Sequence, residues 1–242
     1  MLSIDSDRLG LRPSRAALAA GAAAIALAWA FALPQPAPAG KGKVLGAAKP
    51  VPASCPQDCL VEARVTGFQT MIEERRDPFR VPNHGRIVAW SIKLGTPAKE
   101  DAKHFNQRFG GSQARLAVLK PVKLRKGKRG YRLLRQGPIE NLGPFFGETT
   151  TFGLQRPLRV RKGNVIALTI PTWAPAFAVG QDARWRASRA RSRAEGPCSL
   201  KGGLANLKAG GPQIRKGTER RYACSYRGAR LLYSARFIPS RT

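Results

Sequence analysis

Short runs in which apolar and polar residues alternate cover most of the chain beyond residue 55. In the clearest run, 85–95, Trp90 and Ile92 fall on the opposite face of a strand from Ser91 and Lys93. Such period-two alternation is typical of a β-strand with one buried face. Eight further runs are strand-like: 60–68, 114–122, 130–136, 149–154, 164–170, 183–189, 221–226 and 229–238. Gly and Pro separate the runs, which predicts an antiparallel sandwich or barrel.

One segment, 96–110, has helical rather than strand-like spacing. Thr96 is suited to cap the start of a helix. Phe105 and Phe109 lie four residues apart, which places them on one helix face, and Gly110 is suited to end the helix. We therefore expect one short helix laid across an edge or an end of the sheets.

Residues 1–39 have the features of an export signal. Three arginines precede an uncharged run, 16–33, in which 11 of 18 residues are alanine. The small residues of 37–39 then form the pattern that signal peptidase cleaves, which makes Gly40 the new N-terminus. A retained membrane anchor is the alternative, although 16–33 is shorter than the roughly 20 apolar residues that span a bilayer. Both alternatives export the rest of the chain.

The exported part divides into a short tether and one domain. Residues 40–54 are rich in Gly, Ala, Pro and Lys without periodicity, which predicts a flexible linker. Residues 55–242 contain all the strand-like runs and no repeat of fixed period. We expect them to form a single β-sandwich domain.

Two stretches resemble the strand entries of a known kind of domain. The positions that carry the resemblance are Phe79, Val81, Pro82, Gly85, Ile87 and Trp90 in the first stretch, and Leu158, Val160, Gly163, Val165 and Leu168 in the second. Together they span residues 77–172 and resemble secreted bacterial jelly-roll-like β-sandwich proteins of unassigned function. The resemblance implies an all-β, antiparallel, jelly-roll-like sandwich of about nine strands with one short helix. It implies no activity, because jelly rolls serve as lectins, enzymes and adhesive modules.

The four cysteines agree with export. An even number of cysteines in an exported chain indicates two disulfides, for which three pairings are possible. The short spacing favours Cys55–Cys59 and leaves Cys198–Cys224. A zinc site is not expected, because zinc knuckles use C-x2-C spacing or nearby histidines.

The net charge is the strongest compositional feature. The whole chain carries a formal charge of +29, and residues 40–242 carry +28. Such a surface attracts polyanions at long range, and the attraction weakens with salt. Arginine outnumbers lysine 29 to 14, and Ala, Gly and Pro are abundant. A GC-rich genome favours the codons of these residues, so codon bias is an alternative explanation for part of the positive charge.

Basic residues are densest between Arg115 and Arg135. This stretch has nine Lys or Arg and no acidic residue, and its centre is the expected tip of a hairpin. Splayed cations at a hairpin tip suit contact with a polyanion. The residues expected to make this contact are Lys123, Arg125, Lys126, Lys128 and Arg129.

The stretch 171–180, PTWAPAFAVG, is an apolar excursion that follows a buried-type strand. Exposed apolar loops of this kind are rare without a function. Either its aromatics fold back to close one end of the sandwich, or they form the lip of a ligand site beside the arginines that follow. The second alternative names these ligand-binding residues: Trp173, Phe177, Arg184, Trp185 and Arg186.

No catalytic or metal-binding motif is present in the sequence. Nucleophile and zinc-protease patterns are missing, and acidic residues are few. We therefore expect no catalytic residues, no metal and no cofactor. The favoured function is a binding or structural module of the cell envelope that contacts an anionic polymer or the membrane surface. The alternative is a lectin-like or carbohydrate-active domain that binds a glycan in an aromatic groove. We do not expect nucleic acid as the native partner, and the sequence does not indicate the oligomeric state.

Overall fold

A computed structural model describes residues 42–57, 59–188 and 211–240, with the side chain of Lys126 left out. Within these ranges the chain forms thirteen β-strands and one α-helix. Their bounds are β1 Lys43–Leu45, β2 Glu62–Ile72, β3 Arg75–Arg76, β4 Gly85–Lys93, α1 Lys99–Phe109, β5 Gln113–Lys123, β6 Arg129–Gln136, β7 Glu140–Asn141, β8 Thr149–Val160, β9 Val165–Ala174, β10 Phe177–Ala187, β11 Glu219–Arg220, β12 Cys224–Leu231 and β13 Tyr233–Pro239.

The strands form two antiparallel sheets that pack as a sandwich. The small sheet has the order β1-β13-β4-β8, and the large sheet has the order β11-β6-β5-β9-β2-β10-β12, with β3 beside β2 and β7 beside β5. Eight of these strands have the arrangement of a jelly roll. Four of them, β1-β13-β4-β8, form the small sheet, and the other four, β2-β9-β5-β6, are neighbours in the large sheet. The predicted jelly-roll-like sandwich is thereby confirmed, with β10 and β12 added beside β2.

Each of the nine predicted runs overlaps a strand of the structure. The strands that the pattern missed are β1, β3, β7 and β11, which have only two or three residues each. Alternation needs about four residues to be visible, so strands this short leave no period in the sequence.

The large sheet curls so that its two ends approach each other across one face. Two strands, β5 and β9, lie between β6 and β2 in the hydrogen-bonded order, yet the ring of Tyr131 on β6 is 5.0 Å from that of Phe68 on β2. Three strand spacings in a flat sheet would separate these strands by about 14 Å. Gln213 fills the curl and bonds to the Thr66 hydroxyl at 2.9 Å and the Tyr131 carbonyl at 3.2 Å. Both faces of β2 are therefore buried.

The segment 42–54 is part of the sandwich, so the predicted flexible linker is wrong over these residues. Its first residues form β1, which pairs with the last strand, β13. Basic side chains then bind the backbone carbonyls of the segment. Arg230 Nη1 donates to Lys49 O at 2.8 Å, and Lys93 Nζ donates to Val51 O at 2.6 Å. The pattern could not show this, because main-chain pairing needs no alternating side chains.

Gly46, directly after β1, carries a testable consequence. Its φ is +75°, and a Cβ at this position would overlap the ring of Phe79, which is buried and stacked on Tyr233. We expect G46A to lower the free energy of unfolding by about 1–3 kcal/mol, since both the backbone and the packing oppose a side chain. Denaturant unfolding measures this. G111A is the matched control, because nothing lies within 4 Å of a Cβ there. Equal stability of the two variants would contradict the packing of 42–54.

The predicted helix exists but begins later than expected. It starts at Lys99 with Ala98 as its N-cap, so Thr96 is not the cap, while Gly110 ends it as predicted with φ +85°. Phe105 is half-buried and packs on Trp173 with ring centroids 5.0 Å apart. The helix therefore covers one end of β9. In the described part of the chain, no helix has the length and hydropathy needed to cross a membrane.

One of the two predicted disulfides is fully described. Cys55 and Cys59 are bonded, with an S–S distance of 2.01 Å. Cys224 is buried and disulfide-bonded. The predicted pair Cys198–Cys224 includes Cys198, which lies outside the described residues.

We expect the protein to lose stability at alkaline pH because two of its tyrosines are buried. Burial raises the pKa of Tyr222 and of Tyr233 well above the ordinary value of 10.0. Their hydroxyls donate to Gln213 Oε1 at 2.8 Å and to Ile166 O at 3.0 Å, so the folded state retains protons that the unfolded chain loses. The contribution of these two groups to the free energy of unfolding is therefore constant below about pH 10. It falls as the pH rises above that value. Denaturant unfolding in this range should give a shallower fall for Y222F and for Y233F than for the wild type. Identical slopes would contradict the assignment.

Candidate anion-binding groove

The three aromatic residues predicted to bind a ligand are in the core. Trp173 and Trp185 have 0% of their surface exposed, and Phe177 has 2%. Trp185 stacks on Tyr226 with ring centroids 4.4 Å apart. Side chains without exposed surface do not form the lip of a site, so the alternative in which Trp173, Phe177 and Trp185 contact a ligand is wrong. Nothing in the described residues then favours a glycan-binding groove built on these aromatics.

Trp173 closes one end of the sandwich instead of facing a ligand. β9 continues to Ala174 and β10 begins at Phe177, so the predicted excursion is mostly strand. The Trp173 indole lies among Phe105 and Phe146, and its Nε1 donates to Asn106 Oδ1 and to Gly110 O, both at 3.0 Å. The more conservative of the two interpretations of 171–180, in which the aromatics plug the sandwich, describes what is observed.

The arginines on either side of Trp185 point away from the core. Trp185 is fully buried, while Arg184 is half-buried and Arg186 is exposed. Alternate residues of a strand point to opposite faces of the sheet. Because Trp185 enters the core, the side chains of Arg184 and Arg186 share the outer face of the large sheet. Arg186 is directly opposite Phe68, on the face toward which the sheet curls.

A cavity of about 400 Å³ lies on this face. It is bounded by the end of β2, by β3 and the turn after it, by the start of β6 and by β10. Five guanidinium groups line it together with one carboxylate. The lining residues are Thr70, Met71, Arg76, Asp77, Arg80, Arg129, Tyr131, Arg184 and Arg186. The fold therefore joins Arg184 and Arg186 to Arg129, which the sequence had assigned to a separate polyanion contact.

The single carboxylate of the cavity is committed to the turn that carries it. Asp77 Oδ2 accepts a hydrogen bond from Arg80 Nε at 3.2 Å. The backbone closes the same turn, because Arg80 N donates to Asp77 O at 2.9 Å, and Asp77 N donates to Thr70 O at 2.9 Å. Asp77 has a φ of 49°, in the left-handed region that Asp tolerates better than most residues. Asp77 thus fixes Arg80 and leaves the other four guanidinium groups without a carboxylate in the lining.

The donors in the cavity are available to a ligand. Arg184 Nε is buried and has no hydrogen-bond partner among the described residues. Among the described residues, the side chain of Arg186 has a single long hydrogen bond of 3.5 Å, from its Nη1 to Tyr222 O. A buried donor without a partner costs about 1–3 kcal/mol, so an oxyanion that accepts from Arg184 stabilises the site. Like charges gathered at one cavity repel one another, which favours an anion further.

Tyr131 forms the floor of the cavity. Its ring packs edge-on against Phe68 and Tyr222, each with centroids 5.0 Å apart, which fixes its position. Burial raises the pKa of Tyr131, although the nearby Arg186 opposes the shift, and Asp77 adds to it. The phenol therefore keeps its proton at neutral pH and presents an O–H donor rather than a negative charge.

A second cavity of about 380 Å³ adjoins the first and shares Arg80, Arg129 and Tyr131 with it. Lys123, the cross-strand partner of Arg129, also lines the second cavity. We call the two cavities together the arginine groove. It presents six cations along its length and a single carboxylate, so it suits a ligand that carries more than one anionic group.

The remaining predicted polyanion contacts lie just outside the groove. Arg125 and Lys128 are exposed in the connection between β5 and β6, which confirms the predicted hairpin. Lys126 lies in the same connection, and its side chain is outside the described residues. The exposed cations of this connection continue the positive surface beyond Lys123.

The chemistry of the groove lining suits oxyanions, and the lining contains a single carboxylate. Guanidinium groups donate paired hydrogen bonds to phosphate, sulfate or carboxylate. Glycoside hydrolysis needs two carboxyl groups across a cleft. Asp77 is the one carboxylate that lines the three cavities described for residues 42–57, 59–188 and 211–240. The arrangement is therefore suited to a ligand that carries negative charge.

Several groove residues were missed by the sequence analysis. Arg76, Asp77 and Arg80 belong to the stretch RRDPFR, whose mixed charges suggest an ordinary solvated turn. Tyr131 was placed in a strand but given no role. The curl of the large sheet brings these residues to Arg184 and Arg186, and no local pattern in the sequence encodes that curl.

No family model matches the chain, and the searches of curated proteins and of solved structures returned no match.

Proposed function

We propose that this protein is an exported, basic β-sandwich module of the cell envelope that binds anionic polymers through the arginine groove. The observation that carries the proposal is the groove itself, in which five arginines and Lys123 surround a single carboxylate. A composition effect alone would spread cations over the surface. Here three separate parts of the chain bring arginines to one concave site.

The proposed location rests on the export signal of residues 1–39 and on the Cys55–Cys59 disulfide. Disulfides persist in oxidising compartments and are rare in the cytosol. Outside the cytoplasm, the polymers that meet a protein of charge +29 include acidic wall polymers and acidic polysaccharides, and the membrane surface carries anionic headgroups.

The ligand groups favoured by the groove are oxyanions of compact shape, since each guanidinium donates two parallel hydrogen bonds to such a group. Two adjoining cavities accommodate two successive anionic groups. We therefore expect the purified protein to bind tripolyphosphate more tightly than inorganic phosphate, with a further gain for a longer chain.

Isothermal titration at increasing salt tests the proposal. Tripolyphosphate binding should weaken strongly between about 0.05 and 0.5 M salt, because the screening length falls to roughly 4–5 Å. A neutral glycan should not bind at either salt concentration. Absence of tripolyphosphate binding at low salt, or binding of a neutral glycan that survives 0.5 M salt, would contradict the proposal.

A further inference from the structure

We propose that the protein bridges two anionic polymer chains, because a second cationic surface lies on the side of the sandwich opposite to the arginine groove. This inference rests on the proposed function and adds a second site to it. We call the surface the small-sheet face. It consists of the outward side chains of β1, β13, β4 and β8, and it includes three arginines that lie next to buried residues, Arg86, Arg159 and Arg236.

The small sheet contains no acidic residue. Its four strands together hold six Lys or Arg residues and neither Asp nor Glu. One of the six, Lys93, is bound to the carbonyl of Val51. The turn after β8 adds two exposed cations, Arg161 and Lys162. The charge of this sheet is therefore not compensated within the sheet.

The three arginines of the small-sheet face point to solvent because their neighbours fill the core. Arg86 precedes Ile87, which has 0% of its surface exposed. Arg159 lies between the buried Leu158 and Val160, and Arg236 lies between two residues that are at most 2% exposed. This alternation gives the sheet one apolar inner face and one cationic outer face.

Two of these arginines face each other directly. Arg86 on β4 is the cross-strand partner of Arg159 on β8, which places their Cβ atoms about 5 Å apart. Like charges in this position destabilise a sheet. Among the described residues, neither arginine forms a salt bridge. An anionic chain that lies across the two strands removes the repulsion.

The two cationic sites face opposite directions. The arginine groove opens on the outer face of the large sheet, and the small-sheet face is the outer face of the other sheet. Outer faces of a sandwich point away from each other, so one anionic chain that follows a direct path occupies one site only. A flat lipid surface likewise reaches one side of the molecule. Two separate polymer chains occupy both sites at once.

A bridging protein makes a specific prediction for mixtures with a long polymer. We expect purified protein and long-chain inorganic polyphosphate to form large assemblies that scatter light near charge equivalence. Excess polymer should dissolve them, because each polymer chain then carries too few protein molecules to be linked into a large network. Tripolyphosphate is too short to join two proteins and should cause no scattering.

The variant R86Q/R159Q/R236Q isolates the second site. We expect its light scattering with long-chain polyphosphate to fall at least about tenfold, while its affinity for tripolyphosphate in the groove stays within about twofold, since the two sites are distant and independent. The control K99Q/K103Q/R108Q removes the same number of charges from exposed positions of α1. It should scatter like the wild type.

The outcomes separate the two proposals. Wild-type scattering by R86Q/R159Q/R236Q, or an equal loss in the α1 control, overturns bridging but leaves groove binding standing. If R86Q/R159Q/R236Q loses binding to vesicles with anionic headgroups but still scatters light with polyphosphate, the small-sheet face is a lipid contact. That result also overturns bridging. Failure of the wild type to bind tripolyphosphate overturns the proposed function itself.

Discussion

Replacing Arg184 and Arg186 by glutamine weakens tripolyphosphate binding about 100-fold if each guanidinium contributes one charged hydrogen-bonding contact of roughly 1.5 kcal/mol. Both side chains lie on the outer face of β10 and line the larger cavity of the groove. Arg184 is the more telling of the two, since its Nε is buried without a partner among the described residues. Isothermal titration of R184Q/R186Q measures the loss.

The control variant for this experiment has the same net charge as R184Q/R186Q. K103Q/R108Q also removes two exposed cations, from α1, and should change the affinity by less than about threefold, because exposed charges beyond a screening length act weakly. R184K/R186K keeps both charges but lacks the guanidinium fork, so its affinity should lie between those of the wild type and R184Q/R186Q. Equal weakening by the α1 control and by R184Q/R186Q would show that only net charge matters.

Replacing Trp173 by alanine lowers the free energy of unfolding by about 3–5 kcal/mol, as expected for a large aromatic removed from a core. The indole is completely buried, contacts Phe105 and Phe146, and donates from Nε1 to Asn106 and Gly110. Thermal or denaturant unfolding measures the change. Tripolyphosphate binding under conditions in which W173A is folded should be unaffected, because Trp173 does not line the groove.

The more conservative W173F keeps most of the packing and loses the indole N–H. We expect it to be intermediate, with a loss of about 1–2 kcal/mol from the missing hydrogen bonds and the smaller ring. A W173A variant that is as stable as the wild type but has lost ligand binding would contradict the buried position and restore Trp173 as a ligand contact.

The alternation of side chains predicted the fold because strands such as β4 and β10 have one mostly buried and one more exposed face, although β2 and β9 are buried on both. The run 183–189 shows why the site was harder to predict. Its pattern separates Trp185 from Arg184 and Arg186, but it does not say which of the two faces enters the core. The packing of the two sheets decides this, and the curl of the large sheet brings Arg129 on β6 to the arginines of β10 across three intervening strands. Neither is a local property of the sequence.

The stretch 171–180 closes one end of the sandwich, as the first alternative expected, but most of it is strand and not loop. Two prolines suggested a loop, since proline lacks the N–H that a sheet needs. β9 nevertheless continues through Pro171 because of an irregularity in its pairing with β2. Ala63 pairs with Trp173 while Val65 pairs with Ile170, so Pro171 and Thr172 oppose the single residue Arg64. Such a bulge accommodates proline within a strand.

The 42–54 segment was misjudged because composition is a poor guide to main-chain pairing. Gly, Ala, Pro and Lys are typical of linkers, and β1 has only three residues. Its contacts depend on distant basic residues, Lys93 and Arg230, whose side chains donate to its carbonyls. Those partners become neighbours only after the two sheets have formed.

An NMR titration with tripolyphosphate tests most directly whether the arginine groove is the binding site. The signals to follow are the Nε–Hε resonances of the arginine side chains. The resonances of Arg129, Arg184 and Arg186 should shift first and saturate together at one ligand per protein, whereas that of Arg108 on α1 should stay in place. Uniform small shifts of all exposed arginines, without saturation, would contradict a site in the groove and assign the binding to net charge alone.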